Sequence, residues 1–245
     1  LKKAFPDKEE EERLQIARGF YRHLSELIME SVGLMTAPAS SMRRRIKLDE
    51  ESSELMRRYY KEGRSAILIL GHYGNWEWMG AGINLDNPGQ LIAGYRHLRN
   101  KVFDQIIYRT RMRFYRQLIG SKQLARKMVG MAAAKEPAVF ALLADQWPRP
   151  DTAFWVNFLD RETPFFTGPE KLARKLGHAV LFCSIRKQKR GSYRINIQVL
   201  TEDPKSLPQQ EITQGYATLL EQEIRRAPQY WLWSHRRWKK EKQEV

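Results

Sequence analysis

The sequence of 245 residues has a single cysteine and no long apolar segment. Its one cysteine, Cys183, excludes an internal disulfide and a cysteine-rich zinc cluster. A helix that spans a bilayer needs roughly 20 apolar residues in a row, whereas the longest apolar runs here, such as 66–70 and 138–144, have the length of strands. We therefore expect no membrane-spanning helix among these residues, and a buried, unreactive thiol at Cys183.

The sequence also lacks the patterns of two common kinds of catalytic centre. The chain has no Gly-x-Ser-x-Gly segment, the pattern that marks the nucleophile of many serine hydrolases. Its histidines are scattered, without the paired spacing of zinc ligands; they are His23, His72, His97, His178 and His235. The sequence therefore favours neither a serine nucleophile nor a metal site.

Positive charge is what the sequence has in excess. Lysine and arginine number 43 against 28 acidic residues, which gives a net charge of +15. Such a surface attracts nucleic acid, anionic lipid or an acidic protein, and the charge alone does not choose among them. The seven tryptophans favour a membrane surface slightly, because tryptophan with lysine and arginine is typical of membrane interfaces.

The apolar pattern predicts helices that alternate with short strands. This alternation indicates one α/β domain over 1–245, with a helical N-terminal segment at about 7–62, a catalytic core at about 63–245, and a mixed, largely parallel sheet covered by helices. The predicted helices begin near 7, 49, 75, 99, 121, 168 and 209, the predicted strands are 65–70, 90–95, 138–143 and the hairpin 178–186 with 193–200, and 35–45 is predicted to be a loop.

The segment from Gly71 to Trp78 carries the best candidates for chemistry. It follows a predicted buried strand and begins a helix, where open α/β sheets place their ligand crevices. His72 would supply a base that works near neutral pH, and Glu77 would bond its imidazole if His72 lies in the turn and Glu77 in the first helical turn. The alternative is a structural histidine at a strand end.

Three further segments have both a functional and a structural interpretation. Arg109, Arg111 and Arg113 would clamp a phosphate or stabilise an oxyanion, or form a solvated basic face. Asp145, with Gln146 beside it, would point into the same crevice as His72 if the two strands are parallel, or would cap a turn. The segment 230–240 alternates aromatic and basic residues, so it would rest on anionic headgroups or pack as the end of the domain.

Taken together, these motifs resemble the bacterial lipid A late acyltransferases over nearly the whole chain. The resemblance rests on four elements in order: His72 and Glu77 as His-x4-Glu, Tyr95-Arg96 before Arg109-Thr110-Arg111-Met112-Arg113, Asp145-Gln146, and Arg226-Ala227-Pro228 before Leu232-Trp233 and His235-Arg236-Arg237-Trp238. The segment Phe165-Phe166-Thr167-Gly168-Pro169 is similar to a Bacteroidetes-type branch of that family.

The resemblance implies a fold of the glycerol-3-phosphate acyltransferase type and an O-acyltransferase activity. It implies a donor thioester on acyl carrier protein, an acceptor hydroxyl on a lipid A precursor or related glycolipid, and no cofactor. The implied catalytic residues are His72 as base, Glu77 as its partner, Arg111 and Asp145. The implied substrate contacts are Asn75, Arg96, Arg109, Arg113, Gln146 and Arg236.

Family members usually carry an N-terminal membrane helix, so we expect the protein at the cytoplasmic face of the inner membrane, peripheral or anchored by a segment outside this chain. One alternative keeps the chemistry and changes the acceptor to a lysophospholipid or an aminolipid. Another is a basic module that binds nucleic acid or a membrane surface. We expect no nucleic-acid partner, because a binding module of that kind does not need a His–Glu pair in a crevice.

Overall fold

The computed structural model describes residues 1–86, 89, 91–148 and 153–238. The helices are α1 Glu10–Leu34, α2 Ala39–Arg45, α3 Glu50–Lys61, α4 Trp76–Asp86, α5 Lys101–Met112, α6 Ser121–Ala133, α7 Gly168–Leu176 and α8 Glu211–Arg226, and a 3-10 turn spans Pro228–Tyr230. The strands are β1 Ile46–Leu48, β2 Ala66–Leu70, β3 Leu91–Tyr95, β4 Gln117–Gly120, β5 Val139–Leu143, β6 Ala153–Asn157, β7 Glu162–Phe166, β8 Ala179–Lys189 and β9 Ser192–Thr201.

Seven of these strands form one sheet in the order β1-β9-β8-β2-β5-β3-β4. Its neighbours pair in parallel except for the antiparallel hairpin of β8 and β9. Strands β6 and β7 form a separate antiparallel pair. The predicted α/β class with a mixed, largely parallel sheet is therefore confirmed.

Helices cover both faces of the sheet, and strand β2 shows why its sequence is apolar throughout. Ile67 and Ile69 belong to one hydrophobic cluster, whereas Ala66, Leu68 and Leu70 belong to a second cluster on the other face. All five residues are buried. A central parallel strand covered on both faces gives a continuous apolar run instead of an alternating one.

Local signals placed several helix ends correctly. Asp49 caps α3, since its carboxylate accepts the backbone N–H of Ser52 at 2.9 Å. Helix α7 begins with Pro169 in its first turn and ends at Gly177, whose φ of +67° is in the left-handed region. The predicted hairpin of β8 and β9 is also confirmed.

Six elements differ from the predictions. The predicted loop 35–45 contains helix α2, which buries one side chain, Met42, and so lacks the repeating apolar face that marks a helix. Helix α5 ends at Met112 instead of near 118, and the residues that follow form β4. Strand β1 and the β6–β7 pair were not predicted. Among the described residues, no helix is both long enough and apolar enough to cross a bilayer.

Candidate active site

The candidate site lies at the carboxyl edge of the sheet, where β2 and β5 end side by side. The two strands are parallel neighbours with Leu70 opposite Leu143, and the pairing continues because the N–H of Ala144 donates to the carbonyl of Leu70 at 3.1 Å. His72 and Asp145 each follow their strand by two residues, so the register brings them together. The condition set for their closeness, parallel strands, is therefore met, and the two side chains are in contact.

Asp145 is the carboxylate that binds the imidazole of His72. The Asp145 Oδ1 atom lies 2.6 Å from His72 Nδ1, and Oδ2 accepts the backbone N–H of His72 at 2.9 Å. Oδ2 also accepts the indole N–H of Trp231 at 2.9 Å. Three donors on a buried carboxylate favour its ionised form, and an ionised Asp145 selects the tautomer with a proton on Nδ1. His72 Nε2 is then the atom that accepts a proton.

Glu77, the partner that we predicted for His72, is bound by Arg111 instead. Arg111 donates from Nε to Glu77 Oε2 at 2.9 Å and from Nη2 to Oε1 at 2.7 Å. Glu77 lies in the first turn of α4 and Arg111 in the last turn of α5, so this bidentate pair joins two helices. The predicted His72–Glu77 hydrogen bond is therefore not confirmed, because helix α4 directs the glutamate toward α5.

The charges around His72 favour its protonated form. Burial, the largest single influence, lowers the pKa of His72, but the charge and hydrogen bond of Asp145 outweigh it, and the pKa is raised above 6.5. Glu77 raises this pKa further and Arg111 lowers it. Burial alone would raise the pKa of Asp145, yet His72 and the indole of Trp231 hold it well below its usual value. The pair is thus a base and a fixed anion.

The loop that carries His72 is held rigidly by its backbone. Gly74 has a φ of +63°, its N–H donates to the carbonyl of Tyr230 at 3.0 Å, and its carbonyl accepts from His23 Nε2 at 3.2 Å. The carbonyl of His72 accepts the N–H of Leu232 at 3.0 Å. A side chain at position 74 would overlap the carbonyl oxygen of Ile185, so this turn needs glycine.

The side chain of His72 is 14% accessible and lies beside the indole of Trp76 and the amide of Gln146. The indole of Trp76 packs edge-on at 5.3 Å between ring centroids, and Gln146 Nε2 lies 3.4 Å from His72 Nε2. A narrow pocket beside the Glu77–Arg111 pair is lined mainly by apolar residues; they include Leu70, Trp76, Met79, Ala93, Leu118 and Leu143. The arrangement supplies a base and a cation, and the cation borders a small apolar pocket of about 40 Å³.

The structure also places the predicted substrate contacts. Asn75 is fully buried, its amide donates to Glu30 at 2.6 Å and its oxygen caps α4 at the N–H of Trp78, so it is a structural residue and not the contact that we predicted. Arg113 donates to the carbonyls of Leu34 and Ala37 at the end of α1, which makes it a helix cap in this structure.

Of the other predicted contacts, one lies beside His72 and three are exposed. Gln146 lies beside His72. Arg96, Arg109 and Arg236 are exposed. The buried arginine of the terminal segment is Arg237, which donates to the carbonyl of Pro164.

Sequence reasoning missed Trp231 as a donor to the carboxylate of Asp145. It lies in the aromatic and basic segment 230–240, of which 239 and 240 lie outside the described residues. Trp231 is buried and packs against Trp233 and Trp238. The segment therefore packs as the end of the domain as far as 238, and its leading indole orients Asp145. Only the position of the tryptophan next to a family motif hinted at this.

Comparisons with known proteins identify the family of this chain. The profile of the family described as bacterial lipid A biosynthesis acyltransferase matches residues 1–240. The chain is 29% identical over 243 residues to the lipid A biosynthesis palmitoleoyltransferase of Escherichia coli K12, with 98% of this chain and 76% of that protein covered. It matches the lipid A biosynthesis acyltransferase of Shigella flexneri to the same extent. The chain therefore belongs to the bacterial lipid A biosynthesis acyltransferase family and is an O-acyltransferase.

Proposed function

We propose that the protein moves a fatty acyl group from a thioester of acyl carrier protein to a hydroxyl of a lipid A precursor or related glycolipid, with His72 as the general base. The observation that carries this proposal is the hydrogen bond from His72 Nδ1 to the buried carboxylate of Asp145, which accepts three hydrogen bonds in all. The relatives named for lipid A acylation supply the substrate class.

The geometry supports a direct transfer in which no acyl group is attached to the protein. His72 Nε2 takes the proton of the acceptor hydroxyl as its oxygen forms a bond to the thioester carbonyl carbon. The tetrahedral intermediate then collapses, the carbon–sulfur bond breaks, and the proton on Nε2 passes to the leaving sulfur. Asp145 stays ionised and stabilises the imidazolium between these two steps.

Arg111 is the candidate for the charge that develops on the carbonyl oxygen. Glu77 engages its Nε and Nη2 atoms, so the guanidinium is held in one orientation beside the apolar pocket. A fixed cation near an oxyanion lowers the barrier because it needs no reorganisation during the reaction. Arg111 also packs over the ring of Tyr95 at 5.4 Å, which restrains it further.

Features of helix α5 support the proposal that the protein acts at a membrane surface. None of its residues is buried, and it presents Val102 and Phe103 to solvent, with 67% and 61% of their surface accessible. The same helix carries Arg109, which is exposed, and Arg111, which reaches the site. An apolar and basic helix beside the pocket suits contact with anionic lipid at the cytoplasmic face of the inner membrane.

The proposal is tested with purified protein, acyl carrier protein charged with a fatty acid, and a panel of acceptors. The panel contains an acylated, phosphorylated glucosamine disaccharide, a lysophospholipid and an aminolipid. We expect transfer to the disaccharide and a loss of about 10²–10⁴ in kcat for His72→Gln. His178→Gln is the matched control, because His178 lies next to the start of β8, at the opposite end of that strand from the site.

Two results would count against the proposal. Transfer to the lysophospholipid or the aminolipid alone would overturn the acceptor while leaving the chemistry. A His72→Gln variant that unfolds at the same temperature as the wild type and turns over at the same rate would remove His72 as the base.

A further inference from the structure

A second cavity, of about 720 Å³, lies between α1, the end of β8 and the segment that follows α8. This volume is within the range of about 300–1,000 Å³ that is usual for small-molecule sites. Seven cationic and two acidic side chains line it; they are Lys8, Arg22, Lys187, Lys189, Arg190, Arg225 and Arg226, with Glu12 and Glu26. The lining therefore has an excess of positive charge.

Three of these cations are not neutralised by a close carboxylate. Four others have acidic partners: Lys8 with Glu12, Lys187 with Glu26, Arg225 with Asp160 and Glu221, and Arg226 with Glu223. Arg190 reaches Glu26 only at 3.8 Å, and its side chain is 82% exposed. Arg22 and Lys189 have no ion pair within the described part of the chain. An excess of cations around a concave surface favours an anionic ligand.

The wall of this cavity is bonded to the turn that carries the base. Tyr230 and His23 both line the cavity, and they hold the N–H and the carbonyl of Gly74 at 3.0 Å and 3.2 Å. Their rings also contact each other edge-on at 4.8 Å between centroids. A ligand in the cavity would therefore lie against the same two residues that fix the backbone two residues after His72, through the carbonyl of Tyr230 and the imidazole of His23.

We propose that this cavity binds a phosphate group, with Arg22, Lys189 and Arg190 as its ligands. Phosphate suits it because arginine and lysine bind phosphate oxygens through strong charge-assisted hydrogen bonds, and the concave shape admits a compact polar group. The phosphate is carried on a sugar headgroup or is free. Binding does not require acyl transfer, so this inference goes beyond the proposed function and fails separately from it.

The test is isothermal titration calorimetry of the full chain with glucosamine 6-phosphate, glucosamine and inorganic phosphate, at an ionic strength held constant with sodium chloride. The test variant combines Arg22→Ala with Lys189→Ala. The control variant combines Lys122→Ala with Arg126→Ala, which removes the same charge from two exposed positions of α6 outside the cavity. We expect the test variant to bind glucosamine 6-phosphate at least about tenfold more weakly and the control to bind it as the wild type does.

The three ligands also identify the source of the phosphate. Tighter binding of glucosamine 6-phosphate than of inorganic phosphate supports a phosphorylated sugar headgroup, and equal binding supports a site for free phosphate. The inference is overturned if neither phosphate ligand binds, if glucosamine binds as tightly as its phosphate, or if the control variant weakens binding as much as the test variant.

Discussion

Replacing Asp145 by asparagine separates the pairing seen in the structure from the pairing that the sequence motif predicted. Asparagine keeps the size of the side chain and one oxygen, but it places an NH₂ group near one of the two positions now held by carboxylate oxygens. If that group faces His72 Nδ1, which now lies 2.6 Å from Oδ1, the imidazole must carry its proton on Nε2. Nε2 would then be unable to accept the proton of the acceptor hydroxyl.

The expected loss is large because the tautomer decides whether the base works at all. In serine proteases the equivalent aspartate-to-asparagine change lowers kcat by roughly 10⁴. For Asp145→Asn we expect a fall in kcat on the order of 10³–10⁴, since Asp145 Oδ2 also holds the backbone of His72 and the indole of Trp231. Steady-state kinetics of acyl transfer at saturating donor measure it.

The pH profile gives a second readout. The base must be neutral, so kcat/KM of the wild type should fall as the pH drops through the raised pKa of His72. Asp145 contributes most of the stabilisation of the imidazolium, so Asp145→Asn should move this acidic limb to lower pH. Glu77→Gln should move the limb in the same direction but less, because Glu77 acts on His72 without touching it.

The reasoning is refuted if Glu77→Gln has a larger effect than Asp145→Asn. If Glu77→Gln loses about 10³-fold with the larger shift of the acidic limb, while Asp145→Asn stays active, then Glu77 serves His72 and the pairing described above is wrong. Both variants need a thermal unfolding midpoint close to that of the wild type, which confirms that activity and not folding is compared.

Three further changes test the surroundings of the site. Gly74→Ala should lower the free energy of unfolding by about 2–4 kcal/mol, because the added methyl group overlaps the carbonyl of Ile185; denaturant titration measures this, and an unchanged midpoint would contradict it. Trp231→Phe should lose about 1.5–3 kcal/mol of stability, since Asp145 loses a buried donor, and a variant as stable as the wild type would contradict that. Cys183 should resist thiol reagents at pH 8 until the protein unfolds, because burial raises its pKa; rapid labelling of the folded protein would count against this.

The strand and helix pattern was predictable where each element carries its own signal. Strand β2 is a continuous apolar run, and α7 is bounded by a proline and a glycine. The β6–β7 turn carries no such signal, because Leu159 and Asp160 adopt φ values of +52° and +59° without a glycine to mark them. Strand β4 follows α5 after a few residues, and its short apolar run continued the helical pattern.

The sequence singled out His72, Glu77, Arg111 and Asp145, but it did not predict how they pair. His72 and Asp145 are 73 positions apart, and they meet because β2 and β5 are neighbours in the sheet. No local pattern gives the order of strands. Glu77 is five positions from His72, so closeness along the chain suggested contact, whereas the direction of α4 carries its side chain to Arg111.

The two ion pairs of the site explain how a glutamate five positions from the base matters without a bond to it. Arg111 lowers the pKa of His72, and Glu77 raises it. Without Glu77, the positive charge of Arg111 would lower the pKa of His72 more strongly and weaken it as a base. Arg111 would also be free to leave the position where an oxyanion forms. We infer that Glu77 has two effects on Arg111. It holds the guanidinium where the negative charge develops, and it neutralises the arginine so that Asp145 sets the basicity of His72. The spacing of histidine and glutamate in the motif then reflects a shared turn between strand and helix, from which one side chain faces Asp145 at the sheet edge and the other faces Arg111 on α5.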